Sequence, residues 1–158
     1  MSTRKLLSKR DIFFGVEAAS KSELFAFVAE RAAEFGVTDE PDALAADLMA
    51  REEQFTTGLM DGFAIPHTKS SNVKKVEVFF IRSKNPIPWE AMDEEPAQCF
   101  FVLLVPIEND GNIHLRMISE LATCLLEDEF RDEVRMVADP VELVSYINEA
   151  IQIREEEK

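Results

Sequence analysis

The chain has 158 residues, enough for one domain with a sizeable core, since folding at that length buries roughly 70% of the unfolded surface. Apolar residues make up 46% and charged residues 30% of it, a globular rather than a disordered composition. Its 31 acidic against 17 basic residues leave a net charge of −14, which disfavours nucleic acid as a partner; the same field either steers a basic protein partner or serves solubility alone. The N-terminal stretch MSTRKLLSKRDIFFGVEAAS holds no apolar run long enough for a signal peptide or a membrane span. The expectation is a cytoplasmic protein, residues 1–158 forming a single domain, with no direct membrane insertion. Cys99 and Cys124 each sit inside an apolar run, as reduced, buried thiols do in the cytosol.

The first element is a β-prone piece, Asp11-Ile-Phe-Phe14. Ser20 with Glu23 three residues on forms a capping-box pattern, Leu24, Phe27, Val28 and Ala32 recur at helical spacing, and Gly36 supplies the stop. A second helix starts at Pro41, carries Leu44, Leu48 and Met49 on its apolar face, and runs out near Arg51-Glu-Glu-Gln54. From Thr56 to Ser71 the composition shifts to glycine and hydroxyl residues around a short apolar run, Phe63-Ala-Ile65. Two strands follow, Val76–Ile81 and Cys99–Val105, the second reading as central and buried on both faces. Pro86, Pro88, Asp93 and Pro96 mark a turn-rich connection between them. Three helices close the chain: one after Asn112 with Met117, Ile118, Leu121 and Leu125, one over Glu129–Val137, and one capped by Asp139 with Pro140 in its first position. The order is strand, two helices, three strands, three helices, and one sheet with helices on both faces packs it naturally.

His67 and His114 are the only histidines. Imidazole, with an ordinary pKa near ~6.5, can act as a neutral nucleophile at physiological pH. A strand ending at Ile65-Pro66 would hold His67 at its C-terminal rim, where α/β proteins place ligands. Thr56, Thr57, Thr68, Ser70 and Ser71 offer hydroxyls nearby, and Gly58 and Gly62 let backbone N–H groups approach an anion. A lone histidine after a strand is more often an ordinary structural residue. His114 near a helix start is either a hydrogen-bonded core residue or a second imidazole that donates to an anion. Arg51 either caps its helix or offers its fork of donors to phosphoryl oxygens. A zinc site from the two histidines and Asp61 lacks any supporting ligand spacing. No serine-nucleophile elbow, phosphate-binding lysine loop or dinucleotide glycine fingerprint occurs, and no cofactor or metal is expected. Trp89 and Asp93 lie in a binding loop or, more simply, in a turn with a packed indole.

The run from Arg51 to His67, REEQFTTGLMDGFAIPH, resembles the signature of the type-2 enzyme IIA domains of the phosphotransferase system, the fructose, mannitol and nitrogen-regulatory family. The resemblance continues through Pro88-Trp-Glu-Ala-Met-Asp93, the apolar strand ending at Pro106, and His114-Leu-Arg-Met-Ile-Ser-Glu-Leu121. It implies a three-layer α/β/α sandwich with a mixed sheet. It also implies a phosphoryl carrier phosphorylated on His67, through Nε2 as in family members, with Arg51 and His114 as further active-site residues and Thr57 at the Thr/Ser-Gly binding position. The implied partners are the histidine-containing phosphocarrier protein HPr as donor and the EIIB domain of a sugar permease as acceptor. The implied alternative is a nitrogen-regulatory protein that uses His67 phosphorylation to control partner proteins. Met60 departs from the family, which usually carries a second glycine there.

Overall fold

The computed structural model describes residues 7–108 and 113–156, with backbone only for Ile113, His114 and residues 152–156. After a 3-10 turn at Lys9–Asp11 the elements run β1 (Ile12–Val16), α1 (Lys21–Glu34), α2 (Pro41–Gln54), β2 (Phe63–Ala64), β3 (His67–Ser70), β4 (Glu77–Ile87), β5 (Ala97–Pro106), α3 (Ile113–Cys124), α4 (Asp128–Met136) and α5 (Pro140–Glu156). By its contacts the chain divides into two compact units: Phe13–Asp110, and Met1–Ile12 with Gly111–Lys158.

The larger unit is built on a mixed sheet in the order β1-β4-β5-β2, with β3 also on β5. β4 runs antiparallel to β5, whereas β2 and β3 run parallel to it. β5 is central, and Cys99 to Val105 are all buried, as an uninterrupted apolar run requires. Strand periodicity sorts its neighbours by face. Phe79, Ile81, Phe100, Val102 and Leu104 pack in one cluster with Leu24, Phe25 and Val28 of α1 and Leu44 and Leu48 of α2. Val78, Phe80, Phe101, Leu103 and Val105, which alternate with them, are buried on the opposite face, where the Phe80 and Phe101 rings lie 5.0 Å apart.

Local signals set the helix ends. Ser20 Oγ accepts the Glu23 amide at 3.2 Å, while the Glu23 carboxylate accepts the amide of Ala19 rather than that of Ser20. Gly36, with φ of +73°, closes α1: its amide reaches Ala33 O and the Val37 amide reaches Ala32 O, the paired bonds of a left-handed C-terminal cap. Pro41 opens α2, and Asp139 Oδ1 accepts the Val141 amide at the start of α5. In the smaller unit, Phe130 stacks on Tyr146 with ring centroids 5.7 Å apart, and Asn148 exchanges two hydrogen bonds with the Leu7 backbone. Among the described residues no helix is long and apolar enough to cross a membrane.

Three sequence expectations need correction. Asp11 belongs to the 3-10 turn, its carboxylate accepting the Ser8 amide and hydroxyl, so the first strand starts one residue later. β4 continues through Pro86 to Ile87, because a register irregularity between Arg82 and Ile87 places the proline where no ladder donor is needed. Four strands, not three, follow α2. Pro66 interrupts the edge strand, so Phe63–Ala64 and His67–Ser70 pair separately with β5, and His67 opens a strand instead of following the last one.

Phe100 is fully buried, in register with Ile81 and 5.0 Å from the Trp89 ring. Phe100→Ala should cost about 3–5 kcal/mol, read as a lower urea midpoint with an unchanged slope.

Candidate functional site

The site begins with a carboxylate to which the sequence alone assigns no role. Glu52, in the last turn of α2, is 4% exposed. Its Oε1 accepts the Thr57 hydroxyl at 2.6 Å; its Oε2 accepts the Thr57 amide at 2.7 Å and the Trp89 indole N–H at 3.0 Å. Thr56 Oγ1 lies 3.1 Å from the same Oε2 and 2.6 Å from Glu90 O. Thr57 therefore has both its donors engaged by Glu52. The signal that could have found this was Trp89: a packed indole needs an acceptor, and beside two threonines Glu52 was a candidate. Trp89 is indeed packed, edge-on to Phe25 and against Phe100.

From Thr57 the chain doubles back. The Leu59 amide reaches Phe63 O and the Ile65 amide reaches Thr57 O, at 2.9 and 3.1 Å. Asp61 and Gly62 make the reversal with φ of +56° and +83°, the left-handed pair that an Asp-Gly turn accommodates. Met60 accepts the Phe63 amide with its carbonyl and keeps a negative φ, so the departure from glycine there leaves the turn intact. Gly58 is needed for space, since a Cβ on it would stand 2.1 Å from Glu90 O. The reversal is also tied to the loop after β4: Met92 N–H donates to Leu59 O, and the Asp61 amide donates to Asp93 Oδ2, both at 2.8 Å.

The returning segment delivers His67. Pro66 O accepts the Leu103 amide of β5, and His67 aligns with Leu103, which places it on the sheet face opposite α1 and α2. The imidazole is half-buried, and its Nδ1 lies 2.8 Å from Ile65 O. A carbonyl oxygen only accepts, so this bond requires the proton on Nδ1 and, in the neutral ring, leaves the lone pair on Nε2. Arg51, also half-buried, donates from Nη1 to Phe55 O at 2.8 Å just beyond the end of α2. β3 is held against α2 by Asp47, which accepts from the Ser70 hydroxyl and the Asn72 amide side chain.

Of the expected site residues, Arg51, Thr57 and His67 thus belong to one hydrogen-bonded stretch of the larger unit. His114 lies in the first turn of α3 in the smaller unit, and its side chain is outside the described residues. Among the apolar side chains of this stretch, Phe63 is core, Leu59 and Met60 are half-buried, and Phe55 is 75% exposed; Met92, on the adjoining loop, is 70% exposed. Cys99 and Cys124 are buried thiols.

The amides of Asp61 and Glu95 hold the Asp93 carboxyl below the usual carboxylate range. A depressed pKa stabilises the tie above the ordinary value near ~3.9, and the tie is lost as pH falls through the lowered one. Amide exchange at Asp61 should accordingly stay protected from pH 5 to 8. It should quicken severalfold in Asp93→Asn, which has one side-chain carbonyl for two amides.

Residues 5–150 match the family described as the phosphoenolpyruvate-dependent sugar phosphotransferase system, EIIA 2. The fructose-specific EIIA component of Haloferax volcanii is 36% identical over 116 residues, 73% of this chain and 75% of that protein. Longer curated relatives are matched over a smaller share, 23% or less of their length. Among solved structures, the nitrogen regulatory protein IIA-Ntr of Neisseria meningitidis superposes with a TM-score of 0.80 at 29% identity, over 92% of this chain and 96% of that one. The mannitol enzyme IIA of Escherichia coli, in complex with phosphorylated enzyme IIB, gives 0.70 at 22% identity, over 89% and 97%.

Proposed function

Because the chain belongs to the type-2 EIIA family of the sugar phosphotransferase system, whose members are phosphoryl carriers, we propose that His67 accepts a phosphoryl group on Nε2 and passes it on. The observation that carries this reading is the Nδ1 hydrogen bond to Ile65 O. It orients the ring and leaves Nε2 as the nucleophilic nitrogen.

The donor is the phosphohistidine of an HPr-type phosphocarrier protein. The Nε2 lone pair of His67 forms the new N–P bond as the bond to the donor imidazole breaks, and the electron pair of that bond returns to the donor nitrogen. Little covalent chemistry is asked of the protein; positioning and stabilisation of the equatorial oxygens do the rest. Arg51 and His114 share that negative charge, and Thr57 holds the loop that faces it. The acceptor is an EIIB domain, as the phosphorylated enzyme IIB in complex with the mannitol enzyme IIA suggests by analogy. A fructose-type transport role is favoured by the Haloferax relative. The likeness to IIA-Ntr supports a second reading, in which phosphorylation of His67 controls a partner protein. Residues 1–158 act as one EIIA domain in the cytoplasm. The acidic surface draws a basic partner, and exposed Phe55 and Met92 offer it apolar contact.

Reconstitution with phosphoenolpyruvate, the first enzyme of the system and the phosphocarrier tests the assignment. Acid-labile label should appear on His67 and vanish in His67→Ala with the fold intact; label persisting on that variant refutes it. Transfer onward to an EIIB domain separates the transport reading from the regulatory one. Arg51→Ala and His114→Ala should each slow transfer about a hundredfold, the scale of losing one transition-state donor, with little change in partner affinity. Unchanged rates in both would remove them from the site.

A further inference from the structure

Glu52 and His67 are joined by a hydrogen-bonded path that no step described so far uses. The Glu52 carboxylate holds Thr57 at two points, amide and hydroxyl, at 2.7 and 2.6 Å. Thr57 O accepts the Ile65 amide at 3.1 Å, and Ile65 O lies 2.8 Å from His67 Nδ1. The path is buried from its start up to the ring: Glu52 is 4%, Thr57 7% and Ile65 3% exposed. Ile65 precedes Pro66, which has no N–H and restricts the residue before it to extended backbone. The orientation of the Ile65 carbonyl therefore depends on what its own amide finds, and its amide finds Thr57.

We propose that Glu52 is a positioning residue for His67, acting through Thr57 and Ile65 to keep the imidazole proton on Nδ1 and the lone pair on Nε2. The effect is one of placement. Thr57 is gripped at its nitrogen and its side chain, so its carbonyl has one direction, and the Ile65 carbonyl is set by it. A carboxylate suits the task because it accepts from amide, hydroxyl and indole together, whereas a glutamine has one oxygen, so its NH2 group faces either the amide and indole N–H groups or the Thr57 hydroxyl, whose bond must then reverse. Trp89 N–H, on the remaining side, keeps the carboxylate from turning away from Thr57. This inference rests on His67 being the carrier residue, but its first readout does not need phosphate.

The test uses the full chain with Glu52→Gln, Thr57→Val and Thr57→Ser. Nitrogen-15 NMR of the unphosphorylated imidazole reports which ring nitrogen carries the proton. The neutral ring should be the Nδ1–H form in the parent and in Thr57→Ser, and should move toward the Nε2–H form in Glu52→Gln and Thr57→Val. Single-turnover transfer from the phosphocarrier should fall ten- to a hundredfold in the latter two, the scale of a small misplacement, with the apparent KM for the phosphocarrier unchanged and Thr57→Ser near the parent. If Glu52→Gln does not fold, Thr57→Val decides alone. Folded variants with parental ring shifts overturn the proposal, even where the melting temperature drops, because a purely structural role would lower stability without moving the proton. Were the parent to show the Nδ1–H form yet take no phosphate on His67, the carrier reading would fall by itself.

Discussion

A carboxylate removed from water must find donors for its oxygens, and the last turn of a helix is a poor place to look for them. The backbone there presents carbonyls, and the helix dipole is negative at that end. Glu52 sits in this turn and is buried, so its partners must come from elsewhere in the chain. They come from Thr57 and Trp89. Hydrogen bonds to a charged group contribute about 1.5–3 kcal/mol each, and a buried charge stripped of a partner costs more than that. The requirement therefore acts in both directions: the helix keeps its glutamate buried only if the next five residues and the loop after β4 are ordered around it. Once they are, Gly58 lies against Glu90 so closely that no side chain fits, and the reversal at Asp61-Gly62 is set.

The second constraint is the broken edge of the sheet. β5 is apolar on both faces and needs a ladder partner along its length. β4 provides one side, and the other is shared by β2 and β3 with Pro66 between them. Proline has no N–H to give, but its carbonyl still receives the Leu103 amide, so β5 loses little while the outer strand is interrupted. At the interruption Ile65 turns its amide away from β5 toward Thr57. The loop ordered by Glu52 thus covers the open edge of the sheet, and the histidine that follows is held by that same edge. An edge otherwise prone to pairing with another chain becomes the frame of the site.

Much of this was legible in the sequence where one residue type carries one geometric meaning. Ser20 and Gly36 bound α1, Pro41 opens α2, Asp139 and Pro140 open α5, and the apolar run of β5 reads directly as a doubly buried strand. The Arg51 to His67 signature marked the stretch that hydrogen bonds tie together. What escaped depends on tertiary partners. Pro86 reads as a breaker, and only the irregular pairing beside it shows how β4 carries it. The two-residue strand at Phe63 is too short for any periodicity and exists because β5 offers it a partner. Glu52 looks like one more surface acid beside Arg51 and Glu53, because burial of a charge leaves no trace in local pattern; its donors lie up to 37 residues away.

A phosphoryl carrier faces opposed demands, since its nucleophile must meet more than one partner and yet keep one ring nitrogen presented. Rigid burial would satisfy the second demand and defeat the first. An imidazole that is half-buried, with one nitrogen bonded to backbone, meets both: the backbone bond fixes tautomer and orientation at little cost in exposure. Backbone is the better anchor for this purpose. A carboxylate placed directly on Nδ1 would add a negative charge beside the incoming phosphoryl group, whereas a carbonyl adds only a dipole. Glu52 lies two hydrogen-bonded residues away, inside the protein, where indole, amide and hydroxyl donate to its oxygens. The arrangement separates the carboxylate that orders the site from the anion that the proposed relay would bring to it. In the proposed relay, that separation explains why a protein of net charge −14 can still hold an anion at one histidine.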